Sequence, residues 1–408
     1  MKICMLFGDR YHENMRIVPQ IGIASYLTHF GHEITWVVPS ERAKRVQSSV
    51  FNGISVIEIP LQRWPKMFER CKIGYGLRRM NTILKIFRER QYDLVFVRDG
   101  TFDALLGLYL KKRYHLPFVY ELSNPLEQRR DTYASYLNKK HILPFLRIDE
   151  YCRAYLMQNA DLVLPTTAWM ADDFAEKGVE REKMLPFPNG VKAIQPPLVD
   201  KKEIHERYHI REDTTIIYIG AMHRERHLDV LINAFAKISQ DEHPCHLLMV
   251  GDGNDRDHLE TIAEERGIKD NIVFTGQVDQ DEIPNLIAAA DIGVSCIPPL
   301  PFFKLSSPIK LFEYMAMQKP VVANFEIPEQ KEALEASKGG VLIPFEVDAL
   351  AEGLLQILRD PAGARVMGEN GHSWVMENRN FEKLAKNLEK VYLSLLVQDS
   401  RGMGHPDS

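Results

Sequence analysis

What most constrains this chain is an alternation. Short apolar runs, "KICMLF", "EITWVV", "SVIEI", "DLVFV", "PFVYEL" and "ADLVLP", are interleaved with helical patterns near 16–30 and 76–90. After the proline-rich "PFPNGVKAIQPPLVD" the rhythm restarts with "TIIYIG", "HLLMVG", "NIVFTG", "DIGVSC", "PVVAN" and "GGVLIP", spaced by helical patterns at 227–239, 255–266, 281–289 and 308–317. Strands separated by helices pair in parallel, because a parallel neighbour needs a crossover long enough to hold a helix. A chain of 408 residues exceeds one ordinary core, at roughly 150 residues per domain. The expected fold is α/β: two doubly wound Rossmann-like domains facing a central cleft, with a linker near 188–200. The expected boundaries are 1–190, 191–375, and a C-terminal amphipathic helix and tail at 376–408, the helix able to pack back on the first domain. Ligands in such sheets bind beyond the carboxyl ends of the strands.

Composition narrows the function classes. Hydrophobic content of 45% and charged content of 26% are ordinary for a soluble globular protein and argue against disorder. No apolar run approaches the ~20 residues that span a bilayer, and "MKICMLFGDR" meets charge too early for a signal peptide, so a cytoplasmic location is expected. Cys4, Cys71, Cys152, Cys245 and Cys296 form no CxxC pair and point to neither a disulfide framework nor structural zinc. The net charge of −5 conceals an asymmetry: residues 1–200 carry 29 Lys and Arg against 22 Asp and Glu, leaving 22 against 34 beyond. An acidic chain with one local basic patch is not expected to bind nucleic acid.

Chemistry concentrates in the loops after the second-half strands. "YIGAMHRERH" and "MVGDGNDRDH" place Gly220 and Gly251 where a strand turns toward a helix, and glycine there lets a ligand approach bare backbone. "VGDGNDR" departs from the dinucleotide fingerprint, since Arg256 stands where a glycine should allow close helix packing. Its Asp255 and Asp257 form a DxD, read either as metal ligands or as acids at a helix start; the second is expected, with no metal. "YIGAMHRERH" also sets His223, Arg224, Arg226 and His227 beside a helix start. That is either an anion site suited to phosphate or a solvated basic turn paired with Glu225.

In "SSPIKLFEYM", Ser307 is the expected N-cap and Pro308 the first helical residue. Three after the cap, where a capping box has Glu or Gln, stands Lys310, which opposes the helix dipole unless an anion sits nearby. Glu313 follows one turn later amid Ile309, Leu311, Phe312, Tyr314 and Met315. Two readings stay open. One is a surface pair worth ~0.2–0.5 kcal/mol. The other is a diphosphate at Lys310 and the free N–H groups, with ribose hydroxyls donating to Glu313.

Several ordered blocks carry a resemblance. "SSPIKLFEYMAMQKPVVA", "LLMVGDGNDRDHLETIAEERGIKDNIVFTGQV", "ADLVLPTTAWMADDFAEKGVEREKMLPFPNGV" and "GHEITWVV" are similar to blocks of the family 4 retaining glycosyltransferases of the GT-B fold. The resemblance implies transfer of a sugar from a nucleotide donor on the second domain to a glycan or lipid-linked acceptor on the first, with retention at the anomeric carbon. It favours a UDP-sugar over a GDP-sugar and implies no cofactor or metal beyond the nucleotide sugar as co-substrate. By that likeness Glu313 takes the ribose and the backbone of Ser307, Pro308 and Ile309 takes the diphosphate. Arg226, helped by Lys310, neutralises the leaving group, with Arg224 competing for that role. Gly220 and Gly251 line the donor, and backbone near Val278 reads the base.

The pattern is also broken. Leu305 replaces the first glutamate of the family's usual pair, and Ala221 replaces an arginine after the "YIG" glycine. A glycine pair is missing near Asn14 and Met15, and Ser123 and Asn124 stand where a histidine is expected after "PFVYEL". Glu121 resembles the first residue of the "Glu-x-Arg-Asp" variant of envelope-sugar transferases, either positioning sugar or acceptor as a catalytic residue or serving as an ion-paired glutamate. These departures keep two other readings in play: a non-catalytic nucleotide-sugar-binding subunit, and a nucleotide-sugar epimerase or hydrolase.

On the acceptor side, residues 61–90 hold nine Lys and Arg against two acids, interleaved with Trp64, Phe68 and Tyr75. Arg63, Trp64, Lys66, Arg70, Arg78 and Arg79 are read as a contact to an anionic bilayer surface or lipid pyrophosphate, with peripheral attachment to the inner face of the membrane. The competing reading is a plain solvated helix.

Overall fold

The computed structural model describes residues 1–8, 11, 19–61, 73–135, 140–193, 200–210, 214–239 and 244–402. They divide into two compact units. One comprises the described residues among 1–134 and 140–188 with the C-terminal segment from Phe381; the other comprises Ser135 and the described residues among Asn189–Asn380.

The first unit is built on a seven-stranded sheet. Its strands are β1 (Lys2–Phe7), β2 (Glu33–Ser40), β3 (Gln47–Phe51), β4 (Ile54–Pro60), β5 (Leu94–Arg98), β6 (Phe118–Leu122) and β7 (Leu162–Pro165), in the order β3-β4-β2-β1-β5-β6-β7. All pairs are parallel except β3 with β4, a hairpin whose turn residues Asn52 and Gly53 both have positive φ. The central strands are buried along their length, as their continuous apolar runs require. Phe7, Tyr11, Trp36 and Phe96 form one aromatic core, with Phe7 and Trp36 edge-to-face at 5.7 Å. The last helix, Phe381–Gly402, packs on the helix Pro19–His29. Their approach depends on Gly22, where a Cβ would lie 2.4 Å from the Phe381 ring.

The second unit has six parallel strands, β8 (Thr214–Ile219), β9 (Cys245–Val250), β10 (Ile272–Gly276), β11 (Ile292–Ser295), β12 (Val321–Asn324) and β13 (Gly340–Ile343), in the order β10-β9-β8-β11-β12-β13. Successive residues of β8 face opposite sides: Ile216 and Tyr218 enter one core, Ile217 and Ile219 the other. The strand order reverses between β8 and β11, which makes the carboxyl ends of these two strands the switch point where such sheets take ligands. Among the described residues, no helix is long and apolar enough to cross a membrane.

Candidate functional site

The carboxyl edge of the second sheet is laced by backbone. Gly220 N–H donates to Val250 O at 2.9 Å, Met222 N–H to Asp252 O at 2.9 Å, and Gly251 N–H to Gly276 O at 3.1 Å. Gly220 and Gly251 hold φ of +152° and +132°, and a Cβ on Gly251 would stand 2.1 Å from Gly220 O. A side chain at Gly251 would part the two loops, and one at Gly220 would be strained by its φ and would displace the Lys310 ammonium.

Two cations gather at this edge. Lys310 Nζ lies 3.7 Å from the centroid of the Tyr218 ring, and the space a Cβ on Gly220 would fill is 2.9 Å from that Nζ. Arg226 stacks on Phe303, its guanidinium carbon 4.4 Å from the ring centroid. Burial pushes the Tyr218 hydroxyl well above its usual range, against the pull of the Arg226 charge. Burial pushes the Cys296 thiol up to about 11, against the pull of Lys310. Both positive charges are thus felt by buried groups at the ends of β8 and β11. Arg224 is directed elsewhere: it is largely exposed, with Nε 3.8 Å from Asp255 Oδ1. That contact occupies the first acid of the DxD, and Asp255 caps no N–H with its side chain.

The helix carrying Lys310 runs Ile309–Ala316 and is anchored by Tyr314, whose hydroxyl accepts from Ile219 N–H at 2.9 Å. Its N-cap is Pro308 and no side chain caps it. This corrects the expected cap at Ser307. The buried Ser307 hydroxyl accepts from Asn189 N–H at 3.2 Å, and Asn189 Nδ2 donates to Ser307 O at 2.8 Å. Behind it, Glu329 is buried against Arg379 at 3.1 Å. Burial raises the Glu329 carboxyl to about 7, against the Arg379 charge and hydrogen bonds from Ser307 and Arg379. Glu313 is half-buried one turn beyond Lys310, with Oε2 shut from solvent. Val278 packs its side chain on the core, leaving its backbone at the loop after β10.

In the first unit the corresponding edge corrects two expectations. Glu121 is wholly buried, accepting from Gln20 Nε2 at 2.8 Å and pairing with Arg98 at 3.2 Å, so this carboxylate faces the protein interior. Among the described residues, a partly exposed carboxylate stands there on Asp99, in left-handed backbone conformation at φ +54°. It accepts from Ser123 N–H at 2.9 Å and from the Ser123 hydroxyl, while Arg153 donates to its carbonyl at 2.6 Å. Arg79 is no surface cation: it is buried, bidentate to Asp103 at 2.7 and 2.9 Å and bonded to Phe7 O. Arg78 is half-buried. Arg63, Trp64, Lys66, Arg70, Asn14 and Met15 lie outside the described residues.

Asn189, Glu329 and Asp99 went unread in the sequence. Their signals were a "PNG" turn, an acid two residues after Ile327, and an Asp-Gly pair closing a strand. None of these signals names a partner.

Residues 200–374 match the family model described as "Glycosyl transferases group 1", and residues 22–190 match "Glycosyl transferase 4-like domain". The chain belongs to the group 1 glycosyltransferases of the GT-B fold. An uncharacterized glycosyltransferase of Methanocaldococcus jannaschii is 22% identical over 91% of this chain and 92% of its own. The alpha-D-kanosaminyltransferase of Streptomyces kanamyceticus is 28% identical, but the match covers 42% of this glycosyltransferase and only 43% of that relative. The alpha-monoglucosyldiacylglycerol synthase of Streptococcus pneumoniae is 21% identical over 80% of this chain and 72% of its own. Among solved structures, sucrose-phosphate synthase from Thermosynechococcus elongatus has a TM-score of 0.77 at 18% identity, covering 98% of this glycosyltransferase and 100% of that chain. HepE of Anabaena, with UDP and glucose, has a TM-score of 0.72 at 17% identity, covering 97% and 100%.

Proposed function

We propose that this glycosyltransferase moves a sugar from a nucleoside-diphosphate donor, a UDP-sugar ahead of a GDP-sugar, to a glycan or lipid-linked acceptor, with retention of configuration and without a metal. The observation that carries this reading is the placement of Lys310 and Arg226 at one strand edge, beside a helix start that no side chain caps. Cleaving a glycosyl–phosphate bond leaves negative charge on the diphosphate. Cations and N–H groups already in place stabilise that charge at little reorganisation cost. Ile309 and its neighbours supply the N–H groups, Glu313 accepts from the ribose hydroxyls, and backbone at Val278 reads the base. Gly220 and Gly251 let the sugar diphosphate lie on bare backbone. Retention follows a front-face course in which the departing phosphate takes the acceptor proton.

Asp99 takes the acceptor-positioning role that the sequence suggested for Glu121. A non-glycine residue at positive φ stores strain that neighbours must hold, as Ser123 and Arg153 do here. The names of relatives support a lipid or glycan acceptor, among them the pneumococcal diacylglycerol glucosyl synthase. A mycobacterial relative, 25% identical over 235 residues, is named for GDP-mannose, so both bases enter the test.

The test is calorimetric titration with UDP, GDP, UDP-glucose and GDP-mannose, followed by release of nucleotide with and without a lipid-extract acceptor. Arg226→Ala and Lys310→Ala should each cut turnover by about 10²-fold or more. Undiminished turnover in both variants removes the site; binding without turnover in the wild type favours the non-catalytic subunit.

A further inference from the structure

The helices Thr101–Tyr114 and Leu143–Asn159 of the first unit lie side by side and run in the same direction. Thr101 Oγ1 donates to Asp149 at one end, and Lys111 Nζ donates to Asn159 O at the other. Their inner faces are buried through Ala104, Leu108, Leu146 and Leu156. Their outer faces are not polar. Phe102, Leu105 and Tyr109 form an exposed stripe on the first helix; Phe145, Ile148, Tyr151 and Tyr155 form one on the second, with Tyr151 79% and Phe145 72% exposed. Seven large apolar side chains exposed on two neighbouring helices exceed the singly scattered ones usual on a surface and mark an interaction site.

We propose that this shared outer face docks on an anionic lipid bilayer surface. Charge selects the occupant. The acids of the two helices are engaged inward or along the flank: Asp103 with Arg79, Asp149 with Thr101, Glu150 with Arg130 at 2.6 Å. Lys112, Arg113 and Arg147 are exposed, and neither helix exposes an acid. A second copy seated on the same face would set these cations against themselves, a like-charge contact that interfaces avoid. Anionic headgroups neutralise them while the aromatic rings enter the headgroup boundary, where amphipathic tyrosines are favoured. This face is independent of the donor chemistry and separate from the basic run at 61–90.

The experiment is flotation of the full chain with vesicles of phosphatidylcholine alone and of phosphatidylcholine with phosphatidylglycerol. Wild-type protein should float with the anionic vesicles and not with the zwitterionic ones. Phe145→Ser/Tyr151→Ser and Lys112→Glu/Arg147→Glu should each lower partition by about tenfold or more, with melting temperature and UDP affinity unchanged. Equal flotation of wild type and both variants overturns the proposal. So does absence of wild-type flotation, or a wild-type dimer in sedimentation velocity that Phe145→Ser/Tyr151→Ser abolishes.

Discussion

The ammonium of Lys310 sits 3.7 Å from the centre of the Tyr218 ring, so a helix start and the end of β8 hold one cation between them. The ring limits where that cation can go before any phosphate arrives, and a cation over an aromatic face gains ~0.5–2 kcal/mol. Tyr218→Leu should therefore weaken UDP binding by about threefold to thirtyfold. Tyr218→Phe, which keeps the face, should bind as wild type does. Titration calorimetry on both variants reads the difference, and equal losses would mean that the hydroxyl matters and the face does not.

Glu329 makes the second unit's stability depend on pH. Its carboxyl is raised in the folded state to about 7 from 4.5, mainly by burial. Between those values the folded protein holds a proton that the unfolded chain has released, so stability falls as pH rises through this window, by a few kcal/mol at most. Glu329→Gln should flatten that part of the melting-temperature profile. If wild type and variant fall in parallel from pH 5 to 7.5, Glu329 is not the titrating group.

The sheets were legible because periodicity reports burial directly: all twelve apolar runs became strands of the two parallel cores. β3 escaped because "QSSVF" is polar and exposed at a sheet edge, announced only by the Asn-Gly that follows. Ser307 was misread for a different reason. Its hydroxyl would cap a helix in isolation, but Asn189, 118 residues away, holds it instead. The same limit hid the fates of Arg79 and Glu121, whose charges look available until Asp103 and Gln20 are placed beside them. Local rules indicate what a side chain can do, while its partner is fixed by topology.

Arg79 should behave as a structural residue. Removing one partner of a buried, bidentate pair leaves the other charge uncompensated, at a cost of about 3–5 kcal/mol. Arg79→Ala should lower the urea midpoint of the first unit accordingly, and Arg78→Ala, half-buried beside it, should stay within ~0.5 kcal/mol. Similar midpoints for the two variants would return Arg79 to the surface.

Asp99 and Glu121 stand at the ends of neighbouring strands, with Arg98 between them at 3.9 and 3.2 Å, yet they should fail in different ways. Glu121→Gln breaks a buried ion pair, so it should lower stability and leave the acceptor KM unchanged. Asp99→Asn keeps shape and most hydrogen bonds at a partly exposed position. It should leave the melting temperature within a degree or two, given a surface-like cost near ~0.5 kcal/mol. Its acceptor kcat/KM should fall by about 10- to 100-fold, because it loses a charge-assisted hydrogen bond to the incoming hydroxyl. UDP affinity should not change in either variant, since both residues belong to the first unit. Steady-state kinetics with varied acceptor, beside thermal unfolding, separates the two: a raised acceptor KM in Glu121→Gln at unchanged stability would restore the role to Glu121.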